Sequence, residues 1–175
     1  MSGDEKASLW RDRGWMFGVA RLRLDLLRLV TAVFAFKARG TDWGAPLLDL
    51  VDEFGREEID HLLISVAAMT RVLLDQQSPR RRETRAKCGV LSPDTSDEKP
   101  LALREACNKV LHAEVRNFEW VSDFGSEIPE LSGEVYLSGE QPNGPWKARL
   151  DIVGFVTAVA SLTGGGSDEA EPAGE

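Results

Sequence analysis

The sequence is poor in the residues that most often carry out catalysis or bind metals. Its 175 residues include two cysteines, Cys88 and Cys107, and two histidines, His61 and His112. Two cysteines are too few for a disulfide framework, so we expect two free thiols in a reducing compartment. No pair among these four residues has the spacing of a metal site, so we expect neither a metal nor a cofactor.

Long apolar runs are also absent. The longest uncharged run in the N-terminal apolar segment, Leu29 to Phe36, is too short to cross a bilayer, and it lies too far along the chain for a signal peptide. We therefore expect a cytoplasmic protein with no membrane partner. Arginine outnumbers lysine fifteen to six, which is typical of GC-rich bacterial genomes.

Positive charge is in deficit, since the net charge is -8. Four acidic residues and no basic residue lie in 164–175, and the remainder carries a net charge of -4. This balance argues against a protein whose main role is unspecific binding to nucleic-acid phosphates. We predict one globular domain over 1–163, built on a hydrophobic content of 42%, and a disordered acidic tail over 164–175.

Helical spacing of apolar residues dominates the first half of the chain. It predicts helices over Ala7 to Lys37, Trp43 to Phe54 and Glu57 to Gln76. The first should be mostly buried, with a narrow polar stripe of Arg21, Asp25 and Arg28, and it could break near Gly14 or Gly18. Gly55 is expected to close the second helix. Three such helices can form an antiparallel bundle.

The segment from Ser78 to Lys99 reads as a long surface loop that carries a basic cluster between Arg80 and Lys87. The cluster could contact RNA, an acidic partner or the acidic tail. A solvated loop is the favoured interpretation, because no aromatic residue interleaves the cluster as a stacking surface would require.

After this loop the pattern predicts a helix from Pro100 to His112 and then a change to strand periodicity. The predicted strands are Val115 to Val121, Gly133 to Ser138 and Trp146 to Ile152, with a hairpin turn at 141–144 and a last helix over 152–162. In the last strand the apolar Trp146, Ala148, Leu150 and Ile152 alternate with Lys147, Arg149 and Asp151, which we expect to face solvent. The fold class is therefore α+β: a helical bundle, a small antiparallel three-stranded sheet and a C-terminal helix.

One helix carries a candidate site. Residues four apart on a helix lie about 40° from eclipsed, so Arg104, Asn108 and His112 share one polar stripe. The opposite side is apolar enough to be buried, with Leu103, Ala106, Cys107, Val110 and Leu111. As catalytic residues, His112 would move protons while Arg104 or Asn108 steadies a phosphate or an oxyanion. The alternative is a solvated helix face, with His112 stabilised by the dipole at the helix end.

The stretch from Leu103 to Ala113 resembles the motif helix of HEPN domains, helical bundles found in RNases of bacterial toxin and phage-defence systems. In that motif an arginine and a following polar residue stand a short interval before a histidine. Asn108 and His112 match the polar residue and the histidine. Cys107 stands where the arginine is expected, and seven residues separate Arg104 from His112.

The resemblance implies a homodimer in which two motif helices face each other and cleave RNA without a metal, using the RNA 2'-hydroxyl as nucleophile. The substitution of the arginine implies that ribonuclease activity is lost or weak and that the chain binds RNA or a protein partner. The alternative is a non-catalytic structural or regulatory interaction module of a bacterial system.

Overall fold

A five-stranded antiparallel sheet and the helices packed on one of its faces make up the fold. The computed structural model describes residues 3–37, 44–76, 86–91, 98–121, 130–142 and 144–164. Its helices are α1 (Gly3–Lys37), α2 (Ala45–Leu50), a π-helical turn (Val51–Gly55), α3 (Arg56–Gln76), α4 (Leu103–His112) and α5 (Ile152–Thr163). Its strands are β1 (Lys87–Leu91), β2 (Lys99–Ala102), β3 (Val115–Val121), β4 (Glu130–Gln141) and β5 (Gly144–Asp151). The α+β class predicted from the sequence is confirmed.

The sheet has the strand order β2-β1-β5-β4-β3. The prediction of three strands was therefore wrong, because β1 and β2 fall in the segment predicted as a loop and at the start of the predicted site helix. β1 is only five residues long and lacks polar alternation. Pro100 lies in β2 rather than in the first turn of α4. β2 is an edge strand, one of the few positions in a sheet where proline is found.

The first helix buries one face against α3. Leu22, Leu26, Leu29, Val33 and Phe36 recur at four- and three-residue spacing and are all buried. The polar stripe predicted on this helix is buried at its centre, since the Asp25 side chain is 1% exposed and lies between Arg21 and Arg28. Asp25 also accepts a hydrogen bond from Ser65 of α3, which ties the two helices together.

The chain stays helical through Gly55, where the sequence predicted a helix end. The π-helical turn runs directly into α3, and its flanking residues Leu50 and Arg56 both have right-handed helical dihedrals. A Cβ atom at Gly55 would overlap the ring of Phe36. This glycine therefore serves close packing on α1 and does not terminate a helix.

Strand β5 has the predicted alternation. Trp146, Ala148 and Leu150 are buried, whereas Lys147 and Asp151 are exposed. The Asp151 side chain then caps α5 by accepting a hydrogen bond from the backbone N–H of Gly154 at 3.0 Å. The buried side chains of β5 therefore belong to the core between the sheet and the helices.

Among the helices described, none combines the length and the apolar character that crossing a bilayer demands. The basic residues 80–85 and the tail over 165–175 lie outside the described residues.

Candidate functional site

The three residues of the predicted stripe do lie along one side of α4. Arg104 and Asn108 are partly exposed and His112 is exposed at the last residue of the helix. About 12 Å of helix separates the first from the last, at 1.5 Å per residue. The structure thus brings the stripe together as a line along one helix.

Arg104 is held by α3. Its Nη2 donates to Oδ1 of Asp75 at 2.7 Å, and Nη1 of Arg71 donates to the same oxygen at 2.8 Å. Partial desolvation raises the pKa of Asp75, but the hydrogen bond from Arg104 and the charge of Arg71 outweigh it and hold that pKa below its usual range. The Arg104 guanidinium therefore has a carboxylate partner within the protein.

The opposite side of α4 is buried as predicted, except that Leu111 is only partly buried. Leu103, Ala106, Cys107 and Val110 have no solvent exposure or almost none. Burial, and to a lesser degree the proximity of Cys88, raises the pKa of the Cys107 thiol to about 12. The position at which the HEPN motif has its arginine thus faces the core of this protein, where a guanidinium would be costly.

Metal ligation has no geometric support in the part of the chain that the structure describes. Both cysteines are buried and free, and no group of three or more His, Cys, Asp and Glu side chains could hold an ion among these residues.

A second polar surface, which sequence reasoning did not single out, lies on the exposed face of the sheet. Strand register places Val90, Arg149, Tyr136 and Asn117 in one row across β1, β5, β4 and β3. Ser138 and Lys147 pair in the adjacent position of the same face, two residues along each strand. Alternation aims these side chains away from the helices, because Val135, Leu137, Ala148 and Leu150 on the other face are buried.

This face holds a hollow of about 330 Å³, which is lined by Val90, Asn117, Tyr136, Ser138, Lys147 and Arg149, together with Leu137, Ala148 and Glu98. The Tyr136 hydroxyl donates to Glu119 at 3.1 Å, and Arg149 Nε lies 3.6 Å from a carboxylate oxygen of Glu134. A hydrogen bond to Tyr136 and the charge of Glu134 raise the pKa of Arg149. The hollow therefore presents an oriented aromatic ring beside two cationic side chains.

The alternation of β5 alone predicts that Lys147 and Arg149 face solvent. Their juxtaposition with Tyr136 and Asn117 depends on the register between strands, which a single sequence does not specify. None of the residues that line the hollow belongs to the Arg104 to His112 stripe.

Comparison of the chain with family models, curated proteins and solved structures finds no match. A functional proposal for this chain therefore depends on the geometry of its candidate sites alone.

Proposed function

We propose that this protein is a non-catalytic binding protein and that its ligand occupies the hollow on the exposed face of the sheet. The observation that carries the proposal is the row formed by Arg149, Tyr136 and Asn117, with Lys147 and Ser138 next to it. Side chains from three strands converge there on a space large enough for a small organic molecule.

The side chains that line the hollow indicate the class of ligand. Lys147 and Arg149 favour a phosphate or carboxylate, since guanidinium and ammonium groups form charge-assisted hydrogen bonds with oxyanions. Tyr136 is 43% exposed and offers its ring to a planar group. Asn117 and Ser138 add neutral hydrogen-bonding groups. A mononucleotide is the simplest ligand that joins a planar base to a phosphate.

Charge around the hollow favours a single nucleotide over an extended RNA strand. Glu98 lines the hollow, and Glu119 and Glu134 accept contacts from Tyr136 and Arg149 at its edge. A run of phosphates that crossed this face would meet all three carboxylates, whereas one phosphate on Lys147 and Arg149 would meet chiefly Glu134, beside Arg149, and Glu98.

The HEPN-like assignment of α4 remains a prediction, and two observations support the absence of ribonuclease activity. Cys107 occupies a core position, and Arg104 is engaged by Asp75. We expect no RNA cleavage by the parent protein. Cleavage that is abolished in His112→Ala would contradict the proposal and restore the stripe of Arg104, Asn108 and His112 as a catalytic site.

Calorimetric titration with a nucleoside monophosphate, and in parallel with a short single-stranded RNA, tests the binding proposal. Arg149→Gln or Lys147→Gln should weaken mononucleotide binding roughly ten- to hundredfold, because a charge-assisted hydrogen bond contributes about 1.5–3 kcal/mol. Arg23→Gln, which removes an exposed arginine of α1, is the charge-matched control and should bind like the parent.

Two results would overturn this assignment. The first is no binding of either probe, and the second is equal affinity in the parent and both pocket variants. RNA binding that is much tighter than mononucleotide binding and falls steeply with salt would identify RNA as the source of the phosphate.

A further inference from the structure

We propose that the hollow selects ligands with one phosphate over the corresponding di- and triphosphates, and that the carboxylates around it set this limit. The selectivity rests on the binding function proposed above. Lys147 and Arg149 are the only cations among the described residues that line the hollow, and they lie two residues apart on β5. At that spacing their Cα atoms are about 7 Å apart, so the positive charge covers a short stretch of one strand.

Carboxylates bound this pair of cations along the strands. Strand β4 carries Glu134 and Glu140 on the same exposed face as the residues that pair with the two cations, because all of them lie at alternate positions of the strand. Glu134 comes one such position beyond the partner of Arg149, and Glu140 comes one beyond the partner of Lys147. Each end of the cation pair therefore meets a carboxylate about 7 Å further along the sheet.

Carboxylates also flank the cations across the strands. Glu98 lines the hollow from the β2 side. The pKa of Arg149 is raised by a hydrogen bond to Tyr136, by the charge of Glu134 and, to a lesser degree, by the charge of Glu98. On the β3 side, Glu119 accepts the hydrogen bond of the Tyr136 hydroxyl at 3.1 Å. Within the described part of the chain, four carboxylates thus surround two cations on this face.

A single phosphate matches the positive charge of this site. A phosphate monoester carries a charge of about -1.5 to -2 at neutral pH, which one ammonium and one guanidinium group can balance. A second or third phosphate would have no further cation among the described residues that line the hollow, and it would extend towards Glu98, Glu134 or Glu140. The volume of about 330 Å³ also lies at the lower end of the range for ligand pockets.

Calorimetric titration of the full chain with adenosine mono-, di- and triphosphate, at constant ionic strength and without divalent cations, tests the selectivity. The parent should bind the monophosphate at least about tenfold more tightly than the triphosphate. In Glu98→Gln and in Glu140→Gln, the affinity for the triphosphate should rise about three- to tenfold and that for the monophosphate should rise less, since like charges repel less strongly. Both glutamates are exposed, and glutamine has nearly the same shape.

Glu58→Gln is the charge-matched control. It removes an exposed carboxylate of α3, which packs on the other face of the sheet, and it should keep the parent's ratio of affinities.

Three results would count against this account, and each has a different meaning. Triphosphate binding in the parent that equals or exceeds monophosphate binding overturns the selectivity and leaves the binding function standing. A preference for the monophosphate that is the same in the parent, Glu98→Gln and Glu140→Gln overturns the role of the carboxylates. Failure of all three nucleotides to bind overturns the binding function, and the selectivity with it.

Discussion

At the scale of single residues, Lys109 of α4 shows how position overrides residue type. It is 2% exposed, with its Nζ atom 4.1 Å from the centre of the Trp146 ring and 3.5 Å from a carboxylate oxygen of Glu105. A cation over an aromatic face beside a carboxylate can be buried at tolerable cost. The helical pattern predicted the buried side of α4 but not this lysine, because its partner Trp146 comes from a distant strand.

Because two thiols are buried, we predict that the free energy of unfolding falls in alkali. Burial, and secondarily the charge of Asp151, raises the pKa of Cys88 from 9.0 to about 11, and burial raises that of Cys107 to about 12. Because both pKa values are raised in the folded state, the stabilising contribution is fully present below pH 9 and is lost as pH rises through 11 and 12.

Urea unfolding of the parent and of a Cys88→Ala/Cys107→Ala variant, each below pH 9 and between pH 9 and 11, measures this contribution. The variant should lose less stability than the parent over that interval. Equal losses would show that other groups account for the alkaline destabilisation. Alkylation of the native parent at neutral pH should also be slow at both cysteines.

At the scale of elements, the sequence predicted the helices and strands whose apolar residues recur at a regular spacing. Helix α3, strand β5 and helix α5 were placed within a few residues, because each has a regular apolar face and α5 begins at an Asp cap. Strands β1 and β2 were missed because they are short and depend on pairing with β5 and with each other. Strand pairing places the side chains of the hollow beside one another, so the proposed binding surface could not be predicted from the sequence.

The contact between β1 and β5 depends on Gly89. This residue has φ of +141°, and an added Cβ atom would overlap the carbonyl oxygen of Arg149 on β5. We predict that Gly89→Ala lowers the free energy of unfolding by at least about 2 kcal/mol, through backbone strain and the displaced strand.

Gly18→Ala is the matched control for that substitution. Gly18 lies within α1 with nothing inside 4 Å of an added Cβ atom, so alanine there should leave stability unchanged or raise it by up to about 1 kcal/mol. Thermal melts of both variants make the comparison. A Gly89→Ala protein as stable as the parent would mean that β1 is free to shift relative to β5.

At the scale of the whole molecule, the structure separates two polar surfaces that the sequence could not rank. The stripe of Arg104, Asn108 and His112 runs along α4, with Arg104 engaged by Asp75 of α3. The hollow lies on the exposed face of the sheet, with side chains from β1, β5, β4 and β3 around it. Our central claim is that the hollow binds the ligand.

Backbone amide chemical shifts, recorded by NMR during titration with a nucleoside monophosphate, test this claim most directly because they report both surfaces in one experiment. The account predicts saturable shifts centred on Asn117, Tyr136, Lys147 and Arg149, with the amides of 104–112 unchanged. Shifts centred on Arg104, Asn108 and His112, or no saturable shifts anywhere, would contradict it.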